Sequence, residues 1–449
     1  MIKQPSFLKE RLLYFWQHNF VRKVVTLQIG SLGGTLLQGL SSIIIARILQ
    51  PELFGIYSIS FSLAGLLVLL ASLGIQDSSS ALLSGAYAKG DHTEIRGVFS
   101  FISKMMVVVG ILSIIVSIFA PYVAERFYHN SLIGWYAGIL IIASFLSNTL
   151  LNLSILSYQV VGKIGRMSVL AFSDQLVRNG LVLALVAGGF GITGAMSGHL
   201  VGACLMFLIS IIIWSKIQRE HKLFPTLSEL IKSIWSRGLK THLNFGAWVA
   251  LDKNIAALFG ILPVLMIGLF VSSAEVTYFK ISLAYINLVL GLMGPVSTLL
   301  NVELPRLHVS GLVNLRRNFI RISLYSLFVS MVLTAGAILV SPVALKILYG
   351  PNFLASTKYI VGLGIYGAFL GIGVGLGPMW RALNKVKVSI IINTVTLGIG
   401  IPAGLYLIRN HGVWGAIIMV SAWFTISHLA SFFYIWFYMG RKDDLLQNA

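Results

Sequence analysis

The chain has 449 residues, of which 57% are hydrophobic and 10% charged, and its formal net charge is +19. A soluble domain carries about 25% charged residues, so a soluble globule of this length is excluded because it could not cover its own surface. The composition fits a chain whose solvent is partly lipid.

In chain order, a short amphipathic segment at 5–16 comes first. Apolar runs of ~20 residues, the length that crosses a bilayer, follow at 24–46, 54–74, 98–120, 132–157, 167–187 and 190–214. A second amphipathic segment lies at 226–240, and six more runs fall at 247–271, 277–300, 319–340, 355–380, 386–408 and 411–438. The expectation is an all-α polytopic membrane protein with twelve crossings. No small-residue cleavage site separates the first two runs, so the first is expected to stay in the mature protein. The single cysteine, Cys204, lies in the sixth run and reads as a buried small residue, which leaves no Cys-based metal site and no intrachain disulfide.

Lys and Arg set the orientation. With the N-terminus inside, cytoplasmic segments hold 24 of the 33 basic residues, and the outer loops hold Arg47, Arg126, Lys346, Lys358 and Arg409. Both termini are therefore expected to be cytoplasmic. The net charge is mostly topology rather than a nucleic-acid footprint.

A shift of 221 residues pairs Tyr57 with Tyr278, Arg96 with Arg317, Pro121 with Pro342 and Tyr128 with Tyr349. It also lays Gly191-Ile192-Thr193-Gly194-Ala195 on Gly412-Val413-Trp414-Gly415-Ala416. The chain thus reads as a duplication, with six-helix lobes at 1–221 and 222–449 entering and leaving on the same side. Such parallel repeats are related by an axis along the membrane normal. In the second amphipathic segment Thr226-x-x-Glu229 is a capping box. Leu227, Leu230, Ile231, Ile234 and Trp235 are expected on one face, lying in the membrane interface. The tenth run carries Gly367, Gly371 and Gly375 at the small-xxx-small spacing of closely packed helices, then Pro378. It reads either as a packing seam or as an element that bends.

Ionisable residues at membrane depth are costly and mark function. Lys104, Arg178, Lys253 and Lys280 stand against Asp174 and Asp252, a balance of about +2 that favours anions in a cleft between low-dielectric walls. Asp174 and Arg178 are four apart on one helix face and can pair, whereas adjacent Asp252 and Lys253 point ~100° apart. Lys104 is placed to snorkel at a helix end, and His199 and His428 read as packed polar partners. There is no phosphate-binding Gly-x-x-x-x-Gly-Lys-Ser/Thr run, and no paired carboxylates for sugar chemistry stand at the outer face.

The stretch Ala46-Arg47-Ile48-Leu49-Gln50-Pro51-Glu52-Leu53-Phe54-Gly55-Ile56-Tyr57 resembles the A-R-x-L-x-P-x-x-F-G-x-Y signature of Wzx-type O-antigen flippases. These are polysaccharide transporters of the multidrug/oligosaccharidyl-lipid/polysaccharide (MOP) exporter superfamily. Ala71-Ser72-Leu73-Gly74-Ile75 resembles their second-helix ending, although Asp77-Ser78-Ser79-Ser80 follows where a basic residue is usual. The resemblance implies a two-lobed, alternating-access protein of the bacterial inner membrane. It would move a polyprenyl-diphosphate-linked oligosaccharide to the outer leaflet, without enzymatic chemistry or a cofactor. Arg178, Lys253, Lys280 and Arg47 are then the candidates for the anionic head group, with Asp174 and Asp252 as supporting or coupling residues. H+ or Na+ would be the coupling ion, and a polysaccharide polymerase and a chain-length regulator would be candidate partners. The rival readings are a cation-coupled drug antiporter of the same superfamily, which calls for an acidic lobe, and a membrane-embedded polymerase, which calls for a long outer loop.

Overall fold

The computed structural model describes the backbone of residues 19–72, 75–235, 240–294 and 312–447, with a few positions between 296 and 304. Side chains are described within 33–69, 82–235, 254–294 and 313–440, with the same few positions. The amphipathic segment at 5–16 and residues 236–239 of the second lie outside the described residues. Everything described is helix and short connection: α1 (Asn19–Ser72), α2 (Ile75–Lys89), α3 (His92–Tyr128), α4 (Ser131–Leu146), α5 (Asn152–Val160), α6 (Ile164–Leu185), α7 (Gly191–Glu220), α8 (Leu227–Ser233) and α9 (Lys240–Gly268). Then come α10 (Ser273–Leu290), α11 (Leu312–Leu348), α12 (Ser356–Gly362), α13 (Gly364–Leu370), α14 (Leu376–Ala382), α15 (Val386–His411) and α16 (Val413–Gln447). Among the described residues eight helical stretches are long and apolar enough to cross a membrane, or nine if a bent pair is one span.

Two of the eight are too long for one crossing. A 54-residue helix such as α1 would run to ~81 Å, against a hydrocarbon core of ~30 Å. It breaks at Gln50, whose φ of 62° and ψ of 170° lie outside the helical region. Pro51 disfavours the helical conformation in the residue before it, which places the break there. The stretch from 164 to 220 turns back at Gly189–Gly191, after which α6 and α7 lie side by side. Gly191 has φ +56° and ψ −142°, and its counterpart Gly412, between α15 and α16, has φ +56° and ψ −133°. Only glycine adopts such angles without strain, so the repeated Gly-x-x-Gly-Ala runs match because both hairpins make the same turn.

The described chain forms two compact units, Met1–Leu49 with Leu67–Ala250, and Gln50–Leu66 with Leu251–Ala449. In unit 1 the end of α3 nearest α8 packs Phe99, Trp214 and Phe224 together, and Trp214 Nε1 donates to the Pro225 carbonyl at 3.2 Å. The helix α8 docks on the same end of α3. Ser100 Oγ donates to the Ser233 carbonyl at 3.1 Å, and Arg96 lies 3.5 Å from Glu229. The capping box is present: Glu229 N donates to Thr226 Oγ1 at 3.2 Å, and Thr226 N donates to Glu229 Oε2 at 2.8 Å. That backbone bond, helped by Arg96, holds the Glu229 carboxyl below the usual carboxylate range. The expected single apolar face is corrected: Leu230 is buried against the core, while Ile231 and Trp235 are exposed. The five apolar positions span about 140° of the helix, wide enough for the Leu230 edge to meet the core while the Ile231 and Trp235 edge stays outside it.

In unit 2 the second leg of α1 is fastened to α10. Thr277 Oγ1 donates to the Pro51 carbonyl at 2.6 Å, Asn352 Nδ2 donates to Gln50 Oε1 at 2.7 Å, and a Cβ on Gly55 would overlap the Ser273 carbonyl. The tenth apolar run is not a regular helix. It is α12, α13, a 3-10 turn at Gly371–Gly375 and α14, bent by 56°. Gly367 and Gly371 lie against α11 so closely that a Cβ would meet Thr334 and Ser326. The small residues therefore serve close packing in a stretch that is also broken.

Candidate functional site

The charges at membrane depth separate into two kinds of environment. On α6 in unit 1, Arg178 Nη2 makes a short bond to Asp174 Oδ2, one turn earlier on the same face. Asp174 is 6% exposed. The contact is single rather than a fork, since Asp174 Oδ1 and Arg178 Nε are buried without a hydrogen-bond partner. Gly202 on α7 makes the space, because a Cβ there would lie 2.8 Å from Arg178 Cγ. His199, three residues earlier on α7, lies near enough to interact with the Arg178 charge. The pair is neutral as a unit when the carboxylate is ionised.

On α10 in unit 2, Lys280 has a different surrounding. Its ammonium lies 5.7 Å from the ring centre of Phe54, 5.9 Å from Tyr57 and 5.8 Å from Phe61. These three rings stand at i, i+3 and i+7 on the second leg of α1, which is one helical face. The Thr277–Pro51 and Gly55–Ser273 contacts set that face over Lys280. Each ring face attracts a cation through its quadrupole, by about 0.5–2 kcal/mol depending on desolvation. Among the described residues, no carboxylate lies within ion-pair distance of Lys280. The charge is thus supported but not cancelled.

The other candidates are elsewhere. Arg47 is exposed at the end of the first leg of α1. Lys104 on α3 is 6% exposed, enclosed by protein rather than extended along a helix end. Asp252 and Lys253 fall on α9 at positions whose side chains lie outside the described residues. Cys204 is exposed, not buried as its small size and place in a span suggested, because it stands on the outer side of α7.

Sequence reasoning missed the ring stripe, although Phe54 and Tyr57 belong to the signature and the stripe spacing was the available signal. It also missed two polar pairs in unit 2. Tyr359 makes a short hydrogen bond to Glu275, and Tyr366 donates to Asn287 Oδ1 at 2.6 Å. Asn287 lines a cavity of ≈330 Å³ together with Gly291, Ser297, Leu370, Gly373 and His428. Among the described residues no group of three His, Cys, Asp or Glu is placed to hold a metal ion.

Solved structures share this fold across nearly the whole chain. An inward-facing multidrug resistance MATE family transporter of the MOP superfamily superposes with a TM-score of 0.69 at 14% identity, covering 91% of this chain and 95% of that one. A eukaryotic MATE transporter gives 0.64 at 17%, covering 95% and 99%. A MOP superfamily transporter from Pyrococcus furiosus gives 0.57 at 15%, covering 94% and 95%. No curated protein matches the chain in sequence. The sequence profile of the polysaccharide biosynthesis proteins, by contrast, matches residues 20–307, more than half of the chain and including the Arg47–Tyr57 signature. This multi-pass, MOP-fold membrane protein belongs to the polysaccharide biosynthesis protein family.

Proposed function

We propose that the protein is a flippase. It carries a polyprenyl-diphosphate-linked oligosaccharide, an O-antigen or related surface-polysaccharide unit, from the cytoplasmic to the outer leaflet of a bacterial inner membrane. The observation that carries this reading is Lys280, in an apolar run, beside three rings and, among the described residues, without a carboxylate partner. A diphosphate and its sugars cannot cross hydrocarbon unaided, because burying charge without a partner is costly. A cation whose field is not cancelled offers that partner, while the lipid tail stays in the bilayer.

In this reading the chain crosses the membrane twelve times. The breaks at Gln50 and Gly189–Gly191 each divide a long helix into two crossings, and α9 and the bent stretch from 351 to 382 supply two more. The two lobes, 1–221 and 222–449, rock to expose the path to each side, with residues 50–66 moving with the second lobe, to whose α10 they are fastened. Lys280 is the first contact for the diphosphate, and Lys253 and Arg47 are further cationic contacts. Arg178 contributes when Asp174 releases it, so Asp174 is the supporting residue and a candidate for the coupling H+ or Na+, with Asp252 as the second candidate. A polymerase and a chain-length regulator would take the flipped unit onward.

Family membership supports this class of substrate. A drug antiporter of the same fold calls for an acidic pocket, and Lys280 argues against that in unit 2. The experiment is deletion of the gene in its own host, followed by labelling of lipid-linked oligosaccharide from each side of the membrane. Accumulation on the cytoplasmic face is expected. Normal surface polysaccharide with altered efflux of cationic dyes would overturn the reading.

A further inference from the structure

In unit 2, His428 on α16 is placed where α16, α10 and the glycine-rich break meet. Its imidazole rests on Gly373, where a Cβ would lie 2.8 Å from Cε1 and 2.9 Å from Nε2. One ring nitrogen is engaged with the backbone carbonyl of Phe369, just ahead of the 3-10 turn Gly371–Gly375. The other, Nδ1, is buried with no hydrogen-bond partner. Beside the ring lies the ≈330 Å³ cavity. In the neutral ring the engaged nitrogen carries the hydrogen and Nδ1 keeps a lone pair. That lone pair is the place a proton would go.

Among the described residues, no group beside His428 would claim the proton first. On α13, Tyr366 faces the site through Phe424, and its hydroxyl is committed to Asn287 of α10. Further along α10 the titratable groups are Tyr285, donating to the Ala337 carbonyl, Lys280 beside its three rings, Tyr278, and Glu275, which accepts from Tyr359. The α15 neighbour is Asn393, which accepts from Ser427. The α11 neighbours are Ser326 and Ser330, and α9 presents Phe259 to Phe424. Asp252 and Lys253 of α9 lie outside the described side chains. Among the described residues no acidic or basic side chain is within ion-pair distance of His428.

We propose that His428 is a proton-binding site of unit 2, and that taking up the proton requires the glycine-rich break on which the ring rests to move. A proton from water bonds to Nδ1 and turns an unpartnered acceptor into a buried, charged donor. An unpaired buried donor is expensive, and the existing packing supplies no acceptor. The cavity supplies one if α13 and the 3-10 turn shift away and admit water or the hydroxyls of a bound sugar. With glycine at 371, 373 and 375, the side chains that the turn would have to unpack are those of Ile372 and Val374. His428 is thus the proton's site of entry into the transport cycle and selects H+ as the coupling ion, an inference that rests on the transport reading.

The test uses the full-length protein in lipid nanodiscs without substrate. In a Cys204→Ser background, spin labels replace the exposed Ile365 on α13 and Ile426 on α16. Their separation is measured by pulsed electron resonance from about pH 8, above the range in which an ordinary histidine changes charge, down to the lowest pH at which the protein stays folded. A reversible shift in the distance distribution is expected, and it should vanish in His428→Gln, which keeps a donor for the Phe369 carbonyl but does not titrate. No shift in the histidine protein, or an equal shift in His428→Gln, overturns the proposal. If the Gln variant cannot be purified, Gly373→Ala serves instead. Its Cβ displaces the ring, so the midpoint pH must move, and an unchanged midpoint is equally contrary. No lipid-linked sugar enters this experiment. A protein that shifts with pH but flips nothing refutes only the flippase reading, and one that flips without the shift refutes only this proposal.

Discussion

Unit 1 and unit 2 each hold a cation at membrane depth, and they stabilise it by different means. Arg178 is matched by a carboxylate one turn away, which cancels its charge and leaves a dipole. Lys280 is matched by three ring faces, which lower the cost of burial and leave the full charge in place. The difference decides what each site can do for an anion. A neutral pair must give up its partner before it can bind one, whereas a ring-supported ammonium already has a field to offer. Unit 1 therefore carries a cation that is already paired, and unit 2 one that has only ring faces for partners among the described residues.

The contrast can be broken most forcefully in unit 1. Asp174→Asn leaves Arg178 charged with its carboxylate gone, and breaking a buried pair costs about 3 kcal/mol or more. The double variant Asp174→Leu with Arg178→Met removes both charges and should recover most of that loss, as measured by thermal unfolding in detergent. Equal loss in both would mean that packing, not charge, is the cause. In unit 2, Lys280→Met should leave folding nearly intact and lower surface-polysaccharide export at least ~10-fold, equivalent to about 1.4 kcal/mol. Normal export at normal expression would remove Lys280 from the path. Replacing the supporting ring, Tyr57→Leu, should weaken transport by a smaller step, on the order of 1 kcal/mol, the scale of one cation–ring contact. An effect as large as that of Lys280→Met would give Tyr57 a role beyond support.

The smallest expected effect lies outside the membrane. Thr226→Ala removes the cap of α8 and costs about 1 kcal/mol of local stability, readable as faster amide exchange in 227–233. Glu229 titrates below the ordinary carboxylate value of about 4.3 when folded. The stabilisation from the cap is complete above that ordinary value and is lost as pH falls through the lower folded one. Acid should loosen α8 in the natural protein, and a Glu229→Gln variant, which has no carboxyl to titrate, should have lost most of that dependence.

Local signals in the sequence carried much of this. Gln50-Pro51 is a helix break because the residue before a proline avoids the helical region. Asp174 and Arg178 are four apart on an apolar run, and they pair. Thr226-x-x-Glu229 is a capping box in the chain and in the structure. What escaped notice depends on contacts between distant segments. Lys280 meets Phe54, Tyr57 and Phe61 only because Gly55 allows α1 to lie flat on α10, and no pattern local to residue 280 records that. The tenth apolar run has hydropathy enough for one span, and its glycine spacing foretells the close contact of Gly367 and Gly371 with α11, but nothing local marks the 56° bend between Gly362 and Gly364. His428 read as an ordinary packed histidine, since an unpartnered ring nitrogen is a property of its neighbours.

The central claim is that the uncancelled charge of Lys280 holds the anionic head of a lipid-linked oligosaccharide during its passage. The direct measurement reconstitutes the purified protein in liposomes carrying a labelled polyprenyl-diphosphate-oligosaccharide in both leaflets. Access of an impermeant lectin or hydrolase to the labelled sugar is then followed over time. Protein with Lys280 should move the labelled lipid between leaflets, and Lys280→Met should slow this at least ~10-fold with folding unchanged. Equal rates for the two proteins, or no movement beyond that of protein-free liposomes, would contradict the account.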